Sequence, residues 1–212
     1  MTKQLTIIGG SRGVGLLTVR EALSRGHRVT SLSRSTGSLP NDANLTAVTG
    51  SASQPADVAK AIEGADAVIV TLGMGTKLTW DLVAKPSTFY ADAAQVLVDA
   101  VPPATPLIVL TGFGAGASGA YGGLAGVIFK TVLRKTYADK TVMEEIVTAG
   151  SAAWEIVRPG RLTDKPATGA YKVATELTKG MKVGAISRSD VAAYLVAQGE
   201  NPTNLDKYVS LG

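Results

Sequence analysis

The chain has 212 residues, 45% of them hydrophobic, and a mean hydropathy of +0.19, enough apolar material for one α/β domain and too much for disorder. Its net charge of +4 is scattered along the sequence, so no continuous basic stripe recommends a nucleic-acid partner. The lack of cysteine excludes disulfides and thiolate chemistry, and a single histidine, His27, argues against a histidine-rich metal site or a Ser-His-Asp triad.

Taken in chain order, short β-rich runs alternate with helical ones. Leu5–Ile8 predicts a first strand, followed by Gly9-Gly10-Ser11-Arg12-Gly13-Val14-Gly15 and a helix over Val14–Arg25. Val14, Leu17 and Ala22 give that helix an apolar stripe, and Gly26 stops it. Strands are predicted at Arg28–Leu32 and Leu45–Val48, then a helix at Pro55–Glu63 with proline in its first turn, then a strand at Ala67–Leu72. A helix over Ser87–Ala100, a strand over Pro106–Leu110 and a helical stretch over Tyr121–Ala149, with room for a break, come next. Trp154–Val157 reads as a strand and Asp164–Gly184 as an irregular excursion. Arg188–Gln198 reads as a helix opened by Ser187 and Asp190 as a capping box, and Tyr208–Leu211 as the last strand. Runs such as Ala67-Val68-Ile69-Val70 are apolar at every position, as in strands covered on both faces. The pattern predicts a doubly wound parallel α/β sheet, a Rossmann fold, in a single domain over residues 1–212. No apolar run nears the ~20 residues a bilayer requires. Met1-Thr2-Lys3-Gln4 leads directly into the first strand, so we expect no signal peptide, no membrane contact and a cytoplasmic protein.

The glycine loop lies between a strand and a helix, the context in which such loops hold the pyrophosphate of a dinucleotide. Gly9 suits the tight turn, Gly13 the close approach of backbone to phosphate, and Gly15 the packing of helix on strand. Gly10, Ser11, Arg12 and Val14 complete the expected contact, aided by the free N–H groups of the helix N-terminus. An NAD site carries an acidic residue about 20 residues after the glycines. Here the second strand ends Ser33-Arg34-Ser35, with no carboxylate. Arg34 and Arg12 suit a 2′-phosphate, with Ser33 and Ser35 as donors, so the expected cofactor is NADP(H). Ligands in such folds sit beyond the carboxyl ends of the strands. That brings Leu72, Gly73 and Met74 beside the cofactor and Pro159, Gly160, Arg161 and Leu162 to its nicotinamide end. Gly112–Gly126 and Asp164–Gly184 are candidate rims, and Trp80, Phe113, Tyr121, Phe129 and Tyr171 are candidate aromatic surfaces for a flat acceptor.

Further motifs carry a family resemblance. They are Glu63-Gly64-Ala65-Asp66-Ala67-Val68 before the fourth strand, Thr111-Gly112 after the fifth, Lys140 and Glu144 on a helix, Arg158-Pro159-Gly160, Thr168-Gly169-Ala170-Tyr171, and Ser187-Arg188-Ser189-Asp190-Val191-Ala192. Over nearly its whole length the chain resembles the atypical short-chain dehydrogenases/reductases of the NmrA-like and flavin/biliverdin-reductase kind. It departs from them in its G-x-x-x-G-x-G spacing and in Gly50-Ser51, where relatives often carry Gly-Asp. It also lacks the Tyr-x-x-x-Lys of the wider superfamily, the nearest match being Tyr137-Ala138-Asp139-Lys140. The resemblance implies that Lys140 faces the nicotinamide ribose and that Thr111 offers a hydroxyl near the nicotinamide. Tyr137 shares a helix face with Lys140 at i, i+3. The expected activity is NADPH-dependent hydride transfer to a small planar or carbonyl-type molecule, such as a flavin or quinone. The alternatives are a non-catalytic NADP(H)-binding redox sensor and an isomerase or lyase with a tightly held cofactor. The sequence leaves the oligomeric state open.

Overall fold

The computed structural model describes residues 1–73, 88–121, 124–178, 181 and 183–212, those between 119 and 134 by backbone alone. Gln4–Ile8 (β1), Gly13–Ser24 (α1), Arg28–Ser33 (β2), Leu45–Thr49 (β3), Pro55–Ile62 (α2) and Ala67–Val70 (β4) form the first half. Phe89–Ala100 (α3), Leu107–Leu110 (β5), a 3-10 turn at Gly116–Tyr121, Leu124–Ala149 (α4) and Trp154–Pro159 (β6) follow. Arg161–Thr163 (β7), Val173–Ala174 (β8), Ala185–Ser187 (β9), Arg188–Glu200 (α5) and Lys207–Leu211 (β10) complete the chain.

The main sheet runs β3-β2-β1-β4-β5-β6-β10-β8. It is parallel throughout except for β8, which lies antiparallel to β10. The order reverses direction between β1 and β4, the switch point at which doubly wound sheets open a crevice. β4 and β5 are buried at all of their positions, which explains their unbroken apolar sequences. Ile8, Val58, Leu97, Val109, Met143 and Ile156 belong to one apolar layer. Ile7, Val19, Ile69, Val157, Leu195 and Val209 belong to the layer on the other face. Each such side chain contributes roughly 1.5–3 kcal/mol when removed from water.

Three short strands lie beyond the expected frame. β7 pairs with β9 in parallel as a separate ribbon, and β8 adds to the sheet edge. Runs of two or three residues are too brief to show a period of two. The helical stretch expected over Tyr121–Ala149, with room for a break, is continuous as α4 from Leu124 to Ala149. The capping box is half made. The Asp190 N–H donates to Ser187 Oγ at 2.9 Å, but the Asp190 carboxylate accepts from the backbone of Thr168 and Gly169 instead. It thereby ties the excursion to the start of α5. Burial would raise the Asp190 carboxyl, but donors from Gly169, Ser187 and Thr168 outweigh it and hold it below its ordinary value. Among the described residues, no helix is long and apolar enough to cross a membrane.

Candidate functional site

A cleft of about 1120 Å³ runs along the carboxyl ends of β1 to β6. Its first wall is the glycine loop. Gly9 and Gly13 have φ of +94° and +55°, backbone conformations that L side chains resist. A Cβ on Gly15 would stand 2.2 Å from the Gly9 carbonyl oxygen, and one on Gly10 would meet Ser31 and Val19, whereas one on Gly13 would project into open space. Gly9, Ser11, Arg12, Gly13 and Val14 therefore line the cleft, while Gly10 and Gly15 let the loop seat on the sheet. α1 has no side-chain cap and no acid in its first turn, which leaves its N-terminal dipole for an anion. Ser38 donates its hydroxyl to the Ser11 carbonyl and draws the next loop over this wall.

The second wall follows β2. Ser33, Arg34 and Ser35 line it together with Gly50, Ser51 and Ala52. Ser33 Oγ is buried with no hydrogen-bond partner among the described residues, a state that ordinarily calls for one. The Arg34 guanidinium sits 5.9 Å from the centre of the Phe89 ring. Phe89 and Tyr90 owe their position to Asp139 of α4, which accepts from the N–H groups of Tyr90 and Ala91 at 3.1 Å each. Neither aromatic was expected here. The candidate Tyr171 instead packs edge-on to Tyr194, Phe113 is half-buried beside the 3-10 turn, and Trp80 and the side chains of Tyr121 and Phe129 lie outside the described residues.

At the other end stand Leu72, Gly73, Thr111, Tyr137, Lys140, Pro159 and Leu162. Met74 lies outside the described residues. Gly160 and Arg161 do not line the cleft: a Cβ on Gly160 would stand 2.0 Å from the Gly184 carbonyl oxygen, and Arg161 is exposed. Gly160 is small so that β7 and the 184 segment can approach.

Lys140 Nζ donates to the Thr111 carbonyl oxygen at 2.7 Å and lies 5.3 Å from the centre of the Tyr90 ring. Burial pulls its ammonium down to about 8, against an upward push from the Glu144 carboxylate. Thr111 lines the cleft, and its hydroxyl donates to Glu144 Oε1 at 2.7 Å. Glu144 in turn receives two bonds from Arg158, the shorter 2.6 Å, with both side chains 2% exposed. Gly116 (φ +51°) covers this pair so closely that a Cβ would meet both side chains. Thr111 is thus gripped at its carbonyl by Lys140 and at its hydroxyl by Glu144. The Tyr137 hydroxyl has no hydrogen-bond partner among the described residues, and burial raises its pKa.

Arg188, at the start of α5, also lines the cleft and was not anticipated. The signal available was topological, because a residue between a strand and a helix sits at the carboxyl end of the fold. Among the described lining residues, Arg12, Arg34, Lys140 and Arg188 are cationic and none is acidic. No cluster of metal-ligating side chains occurs among the described residues. The unpartnered Ser33 hydroxyl, the open space before Gly13 and the uncapped helix all suit a phosphate-bearing dinucleotide.

Comparison with known proteins agrees with this geometry. The NAD(P)H-binding family model matches residues 9–202. The uncharacterized sugar epimerase YhfK of Bacillus subtilis (strain 168) is 28% identical over 145 residues, 68% of this chain and 61% of that protein, so the match spans less than two thirds of the relative's length. Among solved structures, the oxidoreductase ylbE from Lactococcus lactis superposes with a TM-score of 0.78 at 22% identity, covering 98% of this chain and 90% of that one. ChuY, an anaerobillin reductase from Escherichia coli O157:H7, gives 0.77 at 22% identity, covering 98% and 96%. At such identities the two structures establish the shared fold, while the family match reaches from the glycine loop almost to β10. The chain belongs to the NAD(P)H-binding family.

Proposed function

We propose that this chain is an NADPH-dependent reductase that passes hydride to a small planar or carbonyl-type acceptor, a flavin or quinone being typical. The observation that carries the reading is the cleft lining: four cations and no carboxylate among its described residues, with two of the cations flanking the end of β2. NADP(H) differs from NAD(H) by a phosphate on the adenosine ribose. Arg34 and Arg12 are the residues to pair with that phosphate, and Ser33 Oγ, Ser35 and Ser38 to donate to it. The N–H groups of Gly13, Val14 and Gly15 would meet the pyrophosphate.

When bound, the reduced nicotinamide supplies the hydride. The chain's own work is then to orient and to exclude water. Pro159, Leu162 and Leu72 give the nicotinamide end an apolar lining. Lys140, fixed by the Thr111 carbonyl, donates to the nicotinamide ribose and holds a proton beside the acceptor. The Tyr137 phenol, on the same wall, is protonated at neutral pH, and burial raises its pKa further above the ordinary value. Both groups are proton carriers within reach of one site.

NADPH oxidation assayed against flavins, quinones, aldehydes and imines tests the reading. Turnover of at least one class, faster with NADPH than with NADH, is the expected result. Tight NADPH binding with no acceptor turned over would overturn it in favour of a redox sensor.

A further inference from the structure

We propose that Arg188 selects acceptors that carry an anionic group, with Asp164 holding its guanidinium until such an acceptor arrives. The inference rests on the reductase reading and deepens it by naming a substrate class. Of the four cations lining the cleft, Arg12 and Arg34 border the β2 end, and Lys140 is engaged with the Thr111 carbonyl. Arg188 stands apart from all three. In the β7–β9 ribbon Leu162 pairs with Ile186 and Thr163 with Ser187, so the register brings Arg188 opposite Asp164, beyond the end of β6, and Arg188 lines the cleft together with Leu162. That is the end of the cleft opposite Arg34, where an acceptor must lie to reach the nicotinamide.

The guanidinium has one ion-pair partner among the described residues, Asp164 at 2.7 Å, whose side chain is 90% exposed. A pair with one member in water is screened and contributes little. A phosphate or carboxylate arriving inside the cleft meets the same planar donor fork away from bulk water, where charge-assisted bonds are stronger. Exchange of Asp164 for that anion is therefore favourable, and a neutral acceptor offers no such exchange. The surrounding segment is suited to drawing anions in: its described residues between 161 and 188 include four basic side chains, Arg161, Lys165, Lys172 and Arg188, and two acidic ones, and an excess of one sign concentrates ligands of the other.

Riboflavin and FMN share one ring system and differ by a phosphate, so they isolate the effect. Their dissociation constants are measured by flavin fluorescence on the protein saturated with NADP⁺, a readout that needs no turnover. FMN is expected to bind at least tenfold more tightly than riboflavin. Arg188→Met should erase that difference, and Asp164→Asn, which removes the competing anion, should tighten FMN severalfold. Equal affinities for the two flavins, or no binding of either, would overturn the proposal. So would an Arg188→Met variant that loses NADPH affinity tenfold while the flavin difference persists, since the guanidinium would then serve the cofactor's pyrophosphate. The underlying reading fails separately: FMN preference through Arg188 with no NADPH oxidation would remove the reductase and leave the anion site standing.

Discussion

Lys140 answers to two opposed influences, burial that disfavours its charge and a carboxylate one helical turn away that favours it. Its ammonium is present below a pH of about 8 and is lost above it. If the charged form holds the ribose and the acceptor, turnover should fall as pH rises past that value. Lys140→Ala should lower turnover by about 10- to 100-fold, or ~1.4–2.8 kcal/mol, and flatten the alkaline limb. Tyr137→Phe should cost less. The reverse ranking in steady-state NADPH oxidation would make the phenol the proton donor. The side chains read correctly from sequence into the cleft wall are those whose direction the backbone dictates: Arg12 in the loop, Ser33 and Arg34 at a strand end, Tyr137 and Lys140 one turn apart. The orientation of Gly160 and Arg161 depends on the β7–β9 ribbon, and the partner of the Thr111 hydroxyl, Glu144, is 33 residues away, so neither leaves a local pattern.

The glycine loop and α1 act as one element, and their glycines serve different ends. Gly13→Ala places a methyl in open space at φ +55°. Its cost to folding is the left-handed strain, roughly 1–2 kcal/mol, while its methyl occupies the path of the pyrophosphate. Gly15→Ala drives a methyl into the Gly9 carbonyl at 2.2 Å, so the loop must lift from the sheet. Thermal melts paired with NADPH titrations should therefore show a folded Gly13→Ala protein with NADPH affinity at least tenfold weaker, and a Gly15→Ala protein that loses both stability and binding. Unchanged NADPH affinity in Gly13→Ala would mean that the cofactor does not approach there. The turn at Gly9 and the close packing at Gly15 were legible because the strand–loop–helix order surrounds the motif. The anchoring of the excursion by Asp190 was not legible. Ser187 and Asp190 signalled a helix start, but a carboxylate that accepts from Thr168 and Gly169 across 22 and 21 residues leaves no local pattern.

Across the whole molecule, alternating β and α runs sufficed to predict the doubly wound sheet, with β4 and β5 the clearest signals because they are apolar at every position. The sequence did not disclose which polar groups those layers would enclose. Glu155 on β6 is fully buried. Its Oε1 accepts from Tyr194 at 2.6 Å, and its Oε2 has no partner. Burial raises its carboxyl to about 7, although the Tyr194 hydrogen bond opposes the shift. The folded state therefore binds this proton more tightly than the unfolded chain. The associated stability is fully present below about 4.5, the ordinary value, and is lost as pH rises through about 7. Glu155→Gln, whose amide is neutral at every pH, should raise stability at pH 8 by on the order of 1–3 kcal/mol, read as a higher melting temperature, with no gain at pH 4. Equal effects at both pH values would show that Glu155 is not a buried titrating group. The cationic cleft is the whole-molecule feature on which the functional account depends, and titration of the unmodified protein with NADPH and NADH by calorimetry tests it most directly. The account predicts that NADPH binds at least tenfold more tightly, with Arg34→Asp abolishing the difference. Equal dissociation constants for the two cofactors would contradict it.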